Sequence, residues 1–206
     1  MAMQGYSALL CWLAGVPGLA GADTLLLVGG EVDSLLHPST ADILAYGRCG
    51  LFSAGLPELP RPVRDTAAAL LGTELVVCGG RQLAATKDCS ALDLTAWPLQ
   101  WSAMPSMIHP RDRHGLVVVA GQLYAVGGSR AIGSEHSIER YNGSGWEEVG
   151  EMNGYRQDFC TLAWGEEQIA VLGGYDDIGG QKGTYHIIVS MVWYCFASRR
   201  LNFLRS

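Results

Sequence analysis

The most regular feature of the chain is a short apolar run that ends in two glycines. The run occurs four times, at residues 25–30, 75–80, 123–128 and 169–174. Runs of this length, bounded by turn residues, predict β-strands that are buried on both faces. The glycine pairs follow one another at intervals of 50, 48 and 46 residues, which indicates a repeat architecture. The pairs are Gly29 and Gly30, Gly79 and Gly80, Gly127 and Gly128, and Gly173 and Gly174.

Further apolar segments flank these runs at regular positions. A strand and a turn precede the last three runs, which predicts hairpins beginning at residues 66–71, 116–119 and 159–164. After the first three glycine pairs comes a third apolar segment and then an aromatic position, namely Phe52, Trp101 or Trp146. Each repeat therefore predicts four strands.

A four-stranded unit of this size cannot bury both of its faces alone, so we expect several units to stack around an axis as a β-propeller. The glycines then lie where the chain turns close to a neighbouring backbone, a place where a side chain would collide. The Tyr and Trp positions are expected to pack between adjacent units.

The repeat resembles the kelch motif, most clearly in the run LYAVGG followed by Tyr141 and Trp146. The resemblance covers roughly residues 24–177 and implies an all-β, kelch-type β-propeller with about four blade units. Phe52 replaces the Trp of the first unit, and Leu92 or Leu94 replaces the Tyr of the second. Because kelch propellers usually have more than four blades, the chain is either a small ring or a partial, truncated ring that closes only with further sequence.

The two ends of the chain differ from the repeat. Residues 7–15 are apolar and precede small residues at 20 and 22, which predicts a signal peptide over 1–22. The alternative is that residues 7–14 form an inner propeller strand. The blades are then expected over 23–184, and residues 185–206 form an atypical tail or a last partial blade. The apolar stretch of that segment is too short to span a membrane.

Charge and cysteine content bear on partners and compartment. A net charge of −6 and a pI near 5.3 argue against nucleic acid as a partner. Cys78 ends a second strand and Cys89 begins the next, so antiparallel pairing predicts a disulfide between them. Asn142 begins an N-glycosylation tripeptide in a turn. These features favour a secreted glycoprotein, with a cytoplasmic protein as the alternative.

Patterns typical of catalysis are missing from the sequence. No glycine pair leads into a phosphate-binding loop, the five histidines share no zinc spacing, and no nucleophile elbow is present. We therefore expect no cofactor, no metal site and no catalytic residue.

The best candidates for a binding site are polar residues that recur just ahead of each first strand. In a propeller these loops lie near the central channel, so their arginines could converge on a carboxylate ligand. Kelch domains of ubiquitin-ligase adaptors are similar in using arginines to hold acidic peptide segments. The alternative is that these side chains pair locally or with a neighbouring blade. The candidate ligand-binding residues are Arg64, Arg111, Arg113, His114 and Arg156.

These observations predict a non-catalytic kelch-repeat module that binds a protein or a glycan through loops on one propeller face. One alternative is a kelch-like propeller enzyme such as a sugar mutarotase, using Arg113 with Glu135 or Asp158. Another is a truncated adaptor fragment. If the ring is open, its exposed strand edges could also lead to self-association.

Overall fold

A computed structural model describes residues 25–31, 39–47, 50–53, 56–130, 133–175 and 186–190. These residues form four antiparallel sheets, and no helix occurs among them. Neighbouring strands in each sheet are consecutive in sequence, so every sheet is a simple meander. The arrangement is that of a kelch-type β-propeller whose sheets do not close into a ring within the described residues.

Each sheet corresponds to one repeat of the sequence. The first blade contains β1 (Leu25–Glu31), β2 (Ser39–Gly47) and β3 (Gly50–Ser53). The second contains β4 (Ala67–Leu71), β5 (Glu74–Cys78), β6 (Cys89–Asp93) and β7 (Trp101–Met104). The third contains β8 (Gly115–Val119), β9 (Gln122–Ser129), β10 (Ser134–Tyr141) and β11 (Trp146–Glu151). The fourth contains β12 (Gln157–Trp164), β13 (Gln168–Tyr175) and β14 (His186–Ser190).

The strand pattern predicted from the apolar runs is confirmed. The second and third blades have four strands each, and the predicted hairpins are β4–β5, β8–β9 and β12–β13. The glycine-ended runs form the second strands of the second, third and fourth blades and the first described strand of the first blade. The first strands β4, β8 and β12 lie side by side. The predicted signal peptide over 1–22 and most of the C-terminal tail lie outside the described residues. Within the tail, β14 pairs with β13 as the third strand of the last blade.

The glycine pairs lie where one blade touches the next. Gly79 has a φ of +64°, and a Cβ added to it would lie 2.4 Å from the carbonyl oxygen of Arg111 in the following blade. Gly127 repeats this with a φ of +54° and a contact of 2.3 Å to Met152. At Gly79 the close atom belongs to the backbone, so a side chain there would push the blades apart. At Gly127 the close atom is the flexible end of Met152, and the nearest backbone atom is Arg156 O at 3.2 Å. The glycines thus set the spacing between blades.

Apolar residues fill the space between the blades. One cluster joins β4 and β5 to β8 and β9, and includes Val76, Leu116 and Leu123. The tryptophans of the fourth strands add a polar contact to the preceding blade: Trp101 Nε1 donates to Pro57 O at 3.1 Å, and Trp146 Nε1 donates to Pro105 O at 2.9 Å. These repeated contacts connect neighbouring blades and position the loops at the ends of the blades.

Candidate binding face

One end of the blades carries all the loops that contain the predicted ligand-binding residues. In an antiparallel meander the second strand finishes at the same end at which the first strand begins. The loop 79–88 therefore lies beside the loops 56–66, 105–114 and 152–156, which lead into first strands. We call this end of the arc the loop face. The opposite end carries the short turns within the hairpins.

Three residues at equivalent positions on successive blades form a ladder at the inner edge of the loop face. Arg113 N–H donates to Asp65 O at 2.9 Å, and Asp158 N–H donates to Arg113 O at 3.1 Å. All three have left-handed backbone conformations, with φ between 52° and 54°. Non-glycine residues seldom adopt this conformation, and where they do the site is often functional. The ladder places the side chains of Asp65, Arg113 and Asp158 together at the inner edge of the loop face.

The side chain of Arg113 lies between the two carboxylates of this ladder. Its Nε is 3.7 Å from Asp65 Oδ2 and 4.0 Å from Asp158 Oδ2. Asp65 is the more buried of the two acids, and burial raises its pKa even though the Arg113 charge opposes the change. Arg113 and Asp158 stay partly exposed, at 32% and 43% of their side-chain surface. Arg113 thus pairs across blades with carboxylates on both sides.

Two further arginines on the face rest on buried carboxylates. Arg81 Nε donates to Asp112 Oδ2 at 2.6 Å, and Arg130 lies 2.5 Å from Glu135 Oε2. Both acids have no exposed side-chain surface, whereas Arg81 is 26% and Arg130 38% exposed. The buried carboxylates thus fix the two guanidinium groups through ion pairs and leave part of each guanidinium exposed to solvent.

The two buried acids have opposite pKa shifts. Burial raises the pKa of Asp112, and the hydrogen bond and charge of Arg81 offset only part of that rise. Burial also acts to raise the pKa of Glu135. There, backbone N–H donors, Ser137 first among them, together with the charges of Arg111 and Arg130, outweigh it and lower the pKa to about 2. Glu135 is therefore a firm anion at neutral pH.

Two of the predicted ligand-binding residues lie in the interior. Arg111 is fully buried, and its guanidinium donates to Gly127 O at 2.9 Å, to Ser137 and to the carboxylate of Glu139. His114 is also fully buried, and neither ring nitrogen has a hydrogen-bond partner. A ligand at the loop face has no access to either side chain in this structure, because blade-to-blade packing encloses them.

The other predicted residues lie at or near the surface. Arg156 occupies the position equivalent to Arg111 in the fourth blade, and its Nη1 donates to Gly173 O at 2.5 Å. The backbone of Arg64 pairs with that of Arg81, with N–O distances of 3.1 and 2.8 Å. The structure therefore brings Arg64 and Arg113 towards the inner edge of the face, and Arg156 into the loop beside them.

Exposed apolar side chains on the loop face were missed by the sequence analysis. Leu83 is fully exposed in the loop 79–88, and Ile108 and Tyr155 are 42% and 40% exposed in the neighbouring loops. Tyr155 packs edge-on against His136, with ring centroids 4.6 Å apart. A hydrophobic residue in an otherwise polar loop, as in RQLAATKD, is the sequence signal for this exposed apolar surface. The sequence analysis considered only the charged residues of these loops.

A disulfide closes the loop that carries Arg81 and Leu83. Cys78 and Cys89 form the bond predicted from their places on β5 and β6, with their Cα atoms 4.1 Å apart. Both cysteines are buried, and Cys160 is an exposed free cysteine on β12. The predicted glycosylation residue Asn142 is exposed in the turn between β10 and β11, at the opposite end of the third blade.

The described residues contain neither a metal-binding cluster nor a membrane-spanning helix. Among the described residues, no three His, Cys, Asp or Glu side chains are placed to hold a metal ion. Within those residues there is also no helix long and apolar enough to cross a membrane.

Comparison with known proteins finds similarity to proteins that contain kelch repeats. The model of the kelch motif matches residues 110–153, which is the third blade with the loop that leads into it. The third blade therefore carries a kelch motif, and the chain is similar to kelch-repeat proteins. Its kelch-like relatives include human Kelch-like protein 33, which is 38% identical over 91 residues, or 42% of this chain and 17% of that protein.

Two further comparisons extend this result. Human Kelch-like protein 35 is 32% identical over 123 residues, which are 59% of this chain and 20% of the relative. The chain thus spans no more than about a fifth of these kelch-like relatives. The solved structure of YjhT superposes with a TM-score of 0.71 at 14% identity, and the match covers 90% of this chain and 67% of YjhT. At that identity the likeness supports the fold alone.

Proposed function

We propose that this kelch-repeat chain is a non-catalytic binding module that holds a protein partner at its loop face. The observation that carries the proposal is the burial difference within three ion pairs on that face. Asp112 and Glu135 are fully buried and Asp65 is 10% exposed, whereas their partners Arg81, Arg130 and Arg113 are 26% to 38% exposed. The face therefore presents guanidinium groups to solvent and keeps their counter-charges beneath.

This arrangement fits a partner segment that carries carboxylates. A guanidinium has five N–H donors in a planar fork and can bind one carboxylate while it is held by another. Because Arg81 and Arg130 are already oriented from below, they lose little side-chain freedom when a ligand binds. Leu83 and Tyr155 add exposed apolar surface around the charged centre, as protein interfaces require.

The test uses acidic peptides and their neutral counterparts, in which Asp and Glu are replaced by Asn and Gln. We expect the chain to retain acidic peptides selectively and to lose them as salt rises. Arg81→Ala and Arg130→Ala should each weaken binding about tenfold, the equivalent of one charge-assisted contact. Arg140→Ala is the matched control, because Arg140 is also partly exposed and paired, with Glu147, but lies towards the opposite end of the blade. Equal loss in all three variants, or retention of the neutral peptides, would contradict the proposal.

A propeller enzyme such as a sugar mutarotase is the second candidate, and the proximity of Arg113 and Asp158 favours it. Their charged groups are 4.0 Å apart and both are partly exposed, as an acid–base pair at a channel requires. Glu135 is unsuited to that role, because its carboxylate is buried and accepts hydrogen bonds from the backbone of His136 and Ser137. Accelerated exchange between sugar anomers, measured by NMR and abolished in Asp158→Asn, would favour the enzyme over the binding module.

We also propose that the protein works in an oxidising compartment. The Cys78–Cys89 disulfide supports this, because such bonds persist outside the cytosol. Expression of the full chain in cultured eukaryotic cells tests it. Intact mass of the protein from medium and from lysate, with and without reductant and glycosidase, should give an oxidised, glycosylated product in the medium. A reduced, unmodified product found only in the lysate would place the partner inside the cell.

A further inference from the structure

The turn between β10 and β11 holds one side-chain oxygen in an unusual concentration of donors. Asn142 Oδ1 accepts hydrogen bonds from the backbone N–H of Ser144, the hydroxyl of Ser144 and the backbone N–H of Gly145, each at 3.0 Å. The turn is exposed, and Asn142 N–H also donates to Gly145 O at 3.0 Å. Three donors therefore converge on the carbonyl of a single side-chain amide.

The residue after this asparagine is glycine. Gly143 has a φ of +93°, and nothing lies within 4 Å of the place that a Cβ would occupy. The backbone nitrogen of Gly143 is consequently free of the steric shielding that a side chain would give. It is also the atom that can close a five-membered ring on the Cγ of Asn142.

We propose that the turn at Asn142 is a site of self-modification, at which Asn142 cyclises onto Gly143 and loses ammonia. Gly143 N–H gives its proton to solvent while its nitrogen bonds to Asn142 Cγ, and the carbonyl oxygen takes up negative charge. The bond from Cγ to the side-chain nitrogen then breaks, and ammonia leaves with a proton from water. Water opens the resulting succinimide at either carbonyl, giving aspartate or isoaspartate.

The three donors act on the step that limits this reaction. Attack on Cγ converts the Oδ1 carbonyl oxygen into an oxyanion, and donors already aimed at that oxygen stabilise the charge as it develops. The turn therefore supplies within one chain what an oxyanion hole supplies to an enzyme's substrate. Asn142, Gly143 and Ser144 are all exposed, so ammonia can leave into solvent.

The product would alter the third blade. Isoaspartate adds a methylene to the backbone at the point where β10 turns into β11, next to the paired rings of Tyr141 and Trp146. It also adds a negative charge. A glycan on the same side-chain nitrogen would block the reaction, so the predicted glycosylation and this modification exclude one another.

The chain contains its own control. Asn153 is also followed by a glycine, and Asn153 and Gly154 are both exposed, with φ of Gly154 at +101°. Within the described residues, no hydrogen bond is made to the side chain of Asn153. The two sites share the reacting sequence and exposure. They differ in the donors on the amide oxygen and in the attacking nitrogen, because Gly154 N–H donates to Met152 O at 2.8 Å. Ser144→Ala, which changes only the donors at Asn142, separates the two effects.

The experiment follows both sites by peptide mass spectrometry after incubation of the purified, unglycosylated full chain at mildly alkaline pH. We expect Asn142 to convert faster than Asn153, with aspartate and isoaspartate products that differ from asparagine by the exchange of NH for O. Ser144→Ala removes one donor and should slow conversion at Asn142 about fivefold, the equivalent of one hydrogen bond, without changing Asn153. Conversion at Asn142 no faster than at Asn153, or unchanged by Ser144→Ala, would overturn the proposal.

Discussion

The second and third blades share one backbone plan but hold their strands together by different chemistry. Cys78 opposes Cys89 in the second blade, where Val126 opposes Ile138 in the third. One position further from the loop face, at Ser90 in the second blade, the third has the buried carboxylate of Glu139. A disulfide in one blade and a buried ion pair in the other thus lie at neighbouring positions of equivalent strands.

The ion pair of the third blade also fixes its loop. Glu139 accepts the backbone N–H of Ile108 at 2.7 Å and of His109 at 3.0 Å, in addition to the guanidinium of Arg111. In the second blade the residue equivalent to Arg111 is Val63, which packs in an apolar cluster. In the third blade one carboxylate thus positions a loop of the loop face. In the second blade a disulfide closes a loop of the same face.

The largest effect is expected from breaking the ion pair. Ile108 N–H bonds to Glu139 Oε2 and His109 N–H to Oε1, so Glu139→Gln keeps an oxygen for only one of these two donors. It also leaves Arg111 as a buried charge without a counter-ion, and the change should cost about 3 to 5 kcal/mol of the free energy of unfolding. The double variant Arg111→Val with Glu139→Gln brings in the valine of the second blade and should recover much of the loss. Urea unfolding of the three proteins measures both values. A double variant as unstable as the single one would show that the pair matters for its hydrogen bonds and not for its charge.

The next effect in size concerns the disulfide. Replacing Cys78 by Val and Cys89 by Ile installs the apolar pair of the third blade and should cost about 2 to 3 kcal/mol, because the unfolded chain is no longer cross-linked. Reductant should lower the stability of the wild-type chain in urea unfolding by a comparable amount and leave the variant unchanged. If the variant also responds to reductant, another disulfide contributes.

A smaller effect is expected from His114, which contacts the glycine pairs of both blades. Burial, and then the charge of Arg111, hold the pKa of His114 well below its usual 6.5. As pH falls below 6.5, the unfolded chain takes up this proton and the folded chain does not, so stability declines by about 1.4 kcal/mol per pH unit until the folded pKa is reached. Phe159 occupies the equivalent position in the fourth blade. His114→Phe should therefore be less sensitive to pH between 7 and about 5.5.

The comparison with His114→Phe isolates His114, because the other ionisable groups are the same in the two proteins. The pKa of Glu135 is lowered to about 2, so its contribution is lost only as pH falls from 4.5 towards that value. The raised pKa values of Asp65 and Asp112 act in the opposite sense, because the folded state protonates first. Identical slopes for the wild type and His114→Phe above pH 5.5 would show that His114 takes up its proton over the same pH range in the folded and the unfolded chain.

The sequence predicted the blades well because strand length, the glycine pairs and the aromatic positions recur with the repeat. It predicted the disulfide because the two cysteines lie at adjoining ends of neighbouring strands. It did not separate Arg111 from Arg113. The partner that draws Arg111 inside is Glu139, 28 residues further on, and the left-handed backbone at Arg113 breaks the alternation by which inward and outward side chains are told apart.

The smallest effects come from surface pairs of the second blade, and they show why burial decides which arginine matters. Arg61 is 2.5 Å from Asp88, but both side chains are well exposed, at 51% and 39%. Exposed pairs contribute little, so Arg61→Ala should change the free energy of unfolding by about 0.5 kcal/mol or less. Arg81→Ala removes the guanidinium that donates to a buried carboxylate oxygen of Asp112 and should cost about 1 to 2 kcal/mol. Thermal unfolding of both variants at neutral pH measures the difference. Equal values would mean that Asp112 regains water when Arg81 is removed, and that the arginines of the loop face are not held from below.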